Sequence, residues 1–65
     1  MNLYQAPRNS YVKISTGDII NFKWVDGMYS LNLTPKGICH IWCMEEVEIV
    51  TKEDYLNYWR NYETT

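Results

Sequence analysis

The dipeptide Asp26-Gly27 constrains this chain more than any other feature of its sequence. A two-residue type I′ turn needs positive φ at both central positions, and Asp-Gly supplies that at little cost. Such a turn sets a register. Val25 opposes Met28, Trp24 opposes Tyr29, Phe22 opposes Leu31 and Ile20 opposes Leu33. Three apolar cross-strand pairs then share one face, each contributing roughly 0.2–1 kcal/mol over Ala–Ala. A slip of one residue would break them all. The spacing predicts a hairpin whose core face is Ile20, Phe22, Trp24, Tyr29, Leu31 and Leu33.

Thr34-Pro35-Lys36-Gly37 predicts the next turn. Pro suits position i+1 of a type I turn, and Gly suits the left-handed residue that ends a three-residue loop with a G1 bulge. Thr34 then opposes Ile38, Leu33 opposes Cys39, Leu31 opposes Ile41 and Tyr29 opposes Cys43. A four-residue loop would set His40 against Leu31 and bury an imidazole among aliphatic side chains, so the bulged register is preferred. In it Ile38, His40, Trp42 and Met44 lie on the opposite face, beside Asn32, Ser30 and Lys23. The assignment requires Leu31 inside and Ser30 outside. The reverse would remove its basis and that of any surface built on it.

Around this centre the chain alternates with period two. "YVKIS" points Val12 and Ile14 to one side, Thr16-Gly17-Asp18 turns, and "IINFKW" follows as a second strand. "EVEIV" predicts a fifth strand with Val47 and Ile49 inward and Glu46 and Glu48 outward. Thr51 suits a helix N-cap, with Glu53 and Asp54 in the first turn. Tyr55, Leu56, Trp59 and Tyr62 recur on one stripe of that helix. About twelve residues of helix do not hold alone in water, so the stripe must dock. The expected place is over Trp42, with Trp59 and Leu56 covering it. Residues 1–10, interrupted by Pro7, read as a loosely held arm.

The expectation is thus one domain over 1–65, with an arm at 1–10, a mainly β body at 11–50 and a helix at 51–63. In "GDIINFKW", "GMYSLNL", "GICHIW" and "EVEIV" the body resembles the SH3-like small β-barrels, which implies a five-stranded antiparallel barrel or sheet with the C-terminal α-helix added. No "ALYDY" segment is present, so binding of proline-rich peptides is not implied. In size and lack of motifs the chain is also similar to accessory proteins of large tailed phages, which often bind and inhibit host proteins.

Sixty-five residues with 46% hydrophobic and 15% aromatic content fold rather than stay disordered, though a chain so short buries only ~60% of its unfolded surface. Four residues along a strand span roughly 13 Å, so Cys39 and Cys43 are too far apart to bridge. Unbridged thiols point to a reducing, cytoplasmic setting. The opening "MNLYQAPRNS" has no apolar leader segment, and no run approaches the ~20 apolar residues of a membrane span. No membrane partner is expected.

Several chemistries fail on placement. Cys39-His40-x-x-Cys43 suggests a metal, but His40 leaves a strand on the opposite face from both thiols, and zinc wants four ligands. No metal or other cofactor is expected, and the cysteines read as packed thiols. His40 is the single histidine, with nothing to orient it toward Ser10, Ser15 or Ser30. Glu46 and Glu48 look alike and solvated, whereas an acid/base pair needs its two pKa values pushed apart. The chain is expected not to be an enzyme.

Binding remains. Trp42 with His40 is a candidate recognition patch, because interfaces concentrate energy in aromatic anchors. With that patch covered by the helix, the available surface would be Trp24, Met28 and Tyr29 with the acidic stretch Glu45, Glu46 and Glu48. Residues 45–65 carry net charge −4 and residues 1–25 carry +2, so a protein partner with a basic surface suits the acidic end. The candidate protein-binding residues are Trp24, Tyr29, His40, Trp42, Glu45, Glu46 and Glu48. An apolar face left bare would favour a homodimer. The alternative is single-stranded nucleic acid stacked on the aromatics and flanked by Lys13, Lys23 and Arg8, against which the overall acidity counts.

Overall fold

The computed structural model describes residues 1–63. Five strands, β1 (Ser10–Ile14), β2 (Ile19–Phe22), β3 (Tyr29–Thr34), β4 (Gly37–Trp42) and β5 (Val47–Val50), precede one helix, α1 (Lys52–Glu63). They form two antiparallel sheets, β2-β1-β5 and β3-β4. The class is mainly β with a C-terminal helix. No ladder joins the sheets into a closed barrel, although β2 and β3 touch.

The inner face of the larger sheet follows the alternation of its strands. Val12 pairs with Ile20 on one side and Ile49 on the other, and Ile14 pairs with Val47. These residues, with Phe22, Ile41, Leu3 and Ala6, make the core, except that Ile49 stays largely exposed at its margin. The inward placement expected for Ile49 is therefore only directional. β5 is an edge strand of its sheet.

The first ten residues are no loose arm. Leu3–Gln5 make a short 3-10 turn, Leu3 is 0% exposed, and its amide donates to the Glu45 carbonyl at 2.9 Å. The Tyr4 amide donates to the Cys43 carbonyl at 3.0 Å, and the Val47 amide to the Met1 carbonyl at 2.8 Å. A core this small leaves one end open, and Leu3 and Ala6 close it.

Both hairpin registers differ from those expected. At the first turn Asp26 pairs with Tyr29, so Gly27 and Met28 are the central residues. Gly27 has φ +67° and Met28 does not have positive φ, which is the type II′ pattern with Gly first. β2 ends at Phe22, and the segment 23–28 carries no ladder onto β3, so the parity of β2 is not passed on. Trp24 turns outward while Phe22 is buried. At the second turn Thr34 pairs with Gly37, Leu31 with His40 and Tyr29 with Trp42. The rejected register is the real one. The objection to it assumed a buried Leu31–His40 pair, whereas the pair lies in the open and costs no desolvation.

That one-residue difference leaves β4 facing as expected and reverses β3. Leu31 is 58% exposed and Ser30 is 1% exposed, the reverse of what the expected register required. The surface assigned from that register loses its basis, and a site has to be built anew from the observed faces. Ser30, Asn32 and Thr34 point inward instead of Tyr29, Leu31 and Leu33. Their hydrogen bonds make this tolerable. Ser30 Oγ donates to the Trp24 carbonyl at 2.7 Å, Asn32 Nδ2 donates to the Ser30 carbonyl and hydroxyl at 3.1 Å each, and Thr34 Oγ1 donates to the Gly37 carbonyl at 2.8 Å. Among these inward groups Asn32 Oδ1 is left without a partner.

The helix begins as the sequence indicates. Thr51 Oγ1 accepts from the Asp54 amide and Asp54 Oδ2 accepts from the Thr51 amide, both at 3.1 Å, a reciprocal N-cap. Its docking site is the outer face of β1 and β2, and it does not cover Trp42. Tyr55 meets the Tyr11 ring at 5.0 Å, and α1 packs on β2. The docked stripe is Tyr55, Tyr58 and Trp59, while Leu56 and Tyr62 lie largely in solvent.

Candidate functional site

The reversal of β3 concentrates apolar side chains on the outer face of the β3–β4 hairpin. Three cross-strand pairs run along it: Tyr29 with Trp42, Leu31 with His40, and Leu33 with Ile38. All six are exposed, the five besides His40 ranging from 47% at Trp42 to 70% at Ile38. None carries a formal charge at neutral pH. Rings occupy one end, aliphatic side chains the other, and the imidazole lies between. Beneath lie Ser30, Asn32 and Thr34, held by the bonds described above. Strands with one wetted face ordinarily read the other way round.

Shallow depressions follow the pairs. One lies among Leu31, Leu33 and Ile38, and a second among Tyr29, Leu31 and His40. A third runs past Tyr29, His40 and Trp42 to Ser15, Thr16 and Glu45. There Glu45 accepts a short hydrogen bond from the Ser15 hydroxyl and a second from the Ser15 amide at 3.3 Å. Met28 and Met44 are exposed at the two chain ends of the hairpin.

Of the residues expected to bind, Tyr29, His40, Trp42 and Glu45 come together. Trp24 is exposed on the segment that leads into the hairpin, tied to it through its carbonyl and Ser30. Glu46 and Glu48 lie elsewhere. They line a separate depression with Lys13, Glu46 accepts from the Met1 ammonium at 3.1 Å, and Glu48 is opposite Lys13 in the β1–β5 ladder. The acidic stretch is thus divided between two surfaces and partly neutralised.

Sequence reasoning missed Leu31 and Leu33. The available signal was that Ser30, Asn32 and Thr34 occupy every second position of β3, and all three side-chain types can bond locally to backbone. It also missed a polar cluster behind the hairpin. Asp18 accepts from Tyr58 Oη at 2.5 Å and Thr16 Oγ1 at 2.7 Å, and Lys36 Nζ lies 3.2 Å away. The Tyr58 bond foremost, then that from Thr16, holds the Asp18 carboxyl below its usual range despite partial burial. Burial first, and Asp18 second, push the Tyr58 phenol well above its ordinary value.

Cys39 and Cys43 are unbridged and half-buried, and Cys39 packs against the core. Among the described residues no three His, Cys, Asp or Glu side chains converge to hold a metal ion, and no helix is long and apolar enough to cross a membrane. No protein-family model, no curated protein and no solved structure matches the chain.

Proposed function

We propose that this chain is a small non-enzymatic module that docks on a partner protein through the outer face of β3 and β4, and regulates or inhibits that partner. The carrying observation is the inversion of β3, with Leu31 and Leu33 in solvent above enclosed Ser30, Asn32 and Thr34. Contiguous apolar surface of this kind marks interaction sites. Enclosing polar side chains beneath it is costly unless each is bonded. A strand with the reverse order would be the simpler way to make a stable hairpin. Tyr29 and Trp42 supply the anchors, and Glu45 at their border suits a basic group on the partner's rim.

The strand order supports an SH3-like small-barrel relationship, because β1 pairs with both β2 and β5 while β3 and β4 form the adjoining hairpin. The unbridged thiols fit a reducing, cytoplasmic setting, and a role on a host factor follows the likeness to phage accessory proteins. Exposed Trp24, Tyr29 and Trp42 also suit stacking on single-stranded nucleic acid. That reading is weaker because the hairpin face itself holds no lysine or arginine. Lys36, at its turn, is paired with Asp18.

Affinity capture with the intact chain, repeated with Trp42→Ala and Leu31→Glu, separates the two. A stoichiometric protein lost in both variants supports docking. A salt-sensitive shift of a single-stranded oligonucleotide, with no protein retained, overturns it.

A further inference from the structure

We propose that the occupant of the β3–β4 face is a second copy of this chain, packed face to face across a two-fold axis that passes beside Leu31. The inference rests on reading this face as a docking surface, and it names what docks there.

Charge permits it. An isologous contact sets residue i on residue j and j on i, with only groups at the axis meeting themselves, so like charges near the axis would repel. Tyr29, Leu31, Leu33, Ile38, His40 and Trp42 bring none at neutral pH. The acidic pair Glu46 and Glu48 lies on the other depression, away from the contact.

Shape favours it. The bulky Tyr29–Trp42 pair stands at one end of the hairpin and the slimmer Leu33–Ile38 pair at the other. An axis in the contact plane and perpendicular to the strands lays the ring end of one copy on the aliphatic end of the other. Large meets small at both ends, so the two sheets can stay near the ~10 Å separation of packed sheets. Leu31 then meets its own counterpart near the axis.

Area suffices. With aromatic side chains presenting ~150–250 Å² when open and aliphatic ones somewhat less, the six residues leave on the order of 600 Å² uncovered at their observed exposures. Counted on both copies, that reaches the ~1,200 Å² at which specific interfaces begin. Binding of any other protein to this face then competes with self-association.

Sedimentation of the full chain over a concentration series tests this. The expected result is a reversible dimer of the 7.8 kDa chain, weakened more than about 100-fold by Leu31→Glu, since like charges brought together across an interface are strongly disfavoured. Leu31→Glu should keep the wild-type circular dichroism spectrum and, at dilutions where both proteins are monomeric, the wild-type urea midpoint, because the position is exposed. A chain that stays monomeric at its solubility limit, a dimer indifferent to Leu31→Glu, or a higher oligomer each overturns the proposal. A monomeric chain whose captured partner is nonetheless lost in Leu31→Glu overturns the dimer and leaves the docking surface standing.

Discussion

The Tyr58 hydroxyl donates to the Asp18 carboxylate at 2.5 Å, and this contact ties α1 to the β1–β2 turn. Lys36 reaches the same carboxylate at 3.2 Å from the β3–β4 turn. One acidic side chain, only 13% exposed, therefore holds the helix and the tip of the hairpin to the larger sheet. Hydrogen bonds to charged groups contribute ~1.5–3 kcal/mol each. In a chain of this size that is a large share of the total stability. Tyr58→Phe should lower the unfolding free energy by about 1.5–3 kcal/mol in urea titrations. An unchanged midpoint would mean the helix is held by Tyr55 and Trp59 alone.

Acid should undo the same contact. Asp18 binds a proton less readily in the folded chain than in the unfolded one, since its carboxyl is held below the usual range. Its contribution is therefore complete above about pH 4, the ordinary carboxylate value, and fades as pH falls through the lowered folded value. Asp18→Asn should be clearly less stable than wild type at neutral pH, with the gap narrowing in acid. Thermal melts of both proteins across pH give the comparison. Equal gaps at all pH values would assign the role of Asp18 to something other than its charge.

Leu3 makes the N-terminal segment part of the core. Truncating a fully enclosed leucine costs about 2–5 kcal/mol, so Leu3→Ala should unfold a substantial fraction of this small protein at room temperature. Amide exchange should show the loss of protection reaching Val47, whose N–H bonds to the Met1 carbonyl. Loss confined to residues 1–6 would contradict that coupling.

The hairpin face should behave oppositely. Leu33 is 64% exposed, and substitutions at such positions usually change stability by no more than about 0.5 kcal/mol. Leu33→Lys should abolish association while leaving the urea midpoint in place at dilutions where the wild type is monomeric. A large destabilisation would show that the leucine packs more closely than its exposure implies.

Beneath that face, Ser30 and Asn32 act as a pair. Ser30→Ala removes an acceptor of Asn32 Nδ2 and leaves the Trp24 carbonyl without its donor, an expected cost of about 1–3 kcal/mol. Ser30→Ala combined with Asn32→Val removes both polar partners together. The double variant should recover much of that loss, and a double-mutant cycle in urea measures the coupling.

The existence and order of the five strands and the cap of the helix were legible because each depends on neighbours in sequence, although β2 stops at Phe22, short of the expected Trp24. Val12, Ile14, Ile20 and Phe22 alternate cleanly, and Thr51 and Asp54 cap each other within one turn. The faces of β4 were legible too, with Ile41 in and Ile38, His40 and Trp42 out. The face of β3 was not. Its parity depends on a single residue in the second turn, and hydrophobicity argued for the wrong choice. What decides between the registers is local bonding by Ser30, Asn32 and Thr34, which composition does not weigh. The site was accordingly half legible: His40 and Trp42 lie outside as the register placed them, but Tyr29 and the two leucines were assigned to the core face. The docking place of α1 rests on Asp18 and Tyr58, forty positions apart, and no local pattern announces such a meeting.

The backbone contacts made by Met1 to Tyr4 have a consequence for how these molecules coexist at high concentration. β5 is the outer strand of its sheet, and unsatisfied strand borders invite a neighbouring chain to extend the ladder. Here the Val47 amide is occupied by Met1, and Asn2 is bridged to Glu46, so the beginning of that border is already sealed from within the same molecule. The N-terminal residues thus do two things at once, completing the interior through Leu3 and occupying the border along which another chain would add.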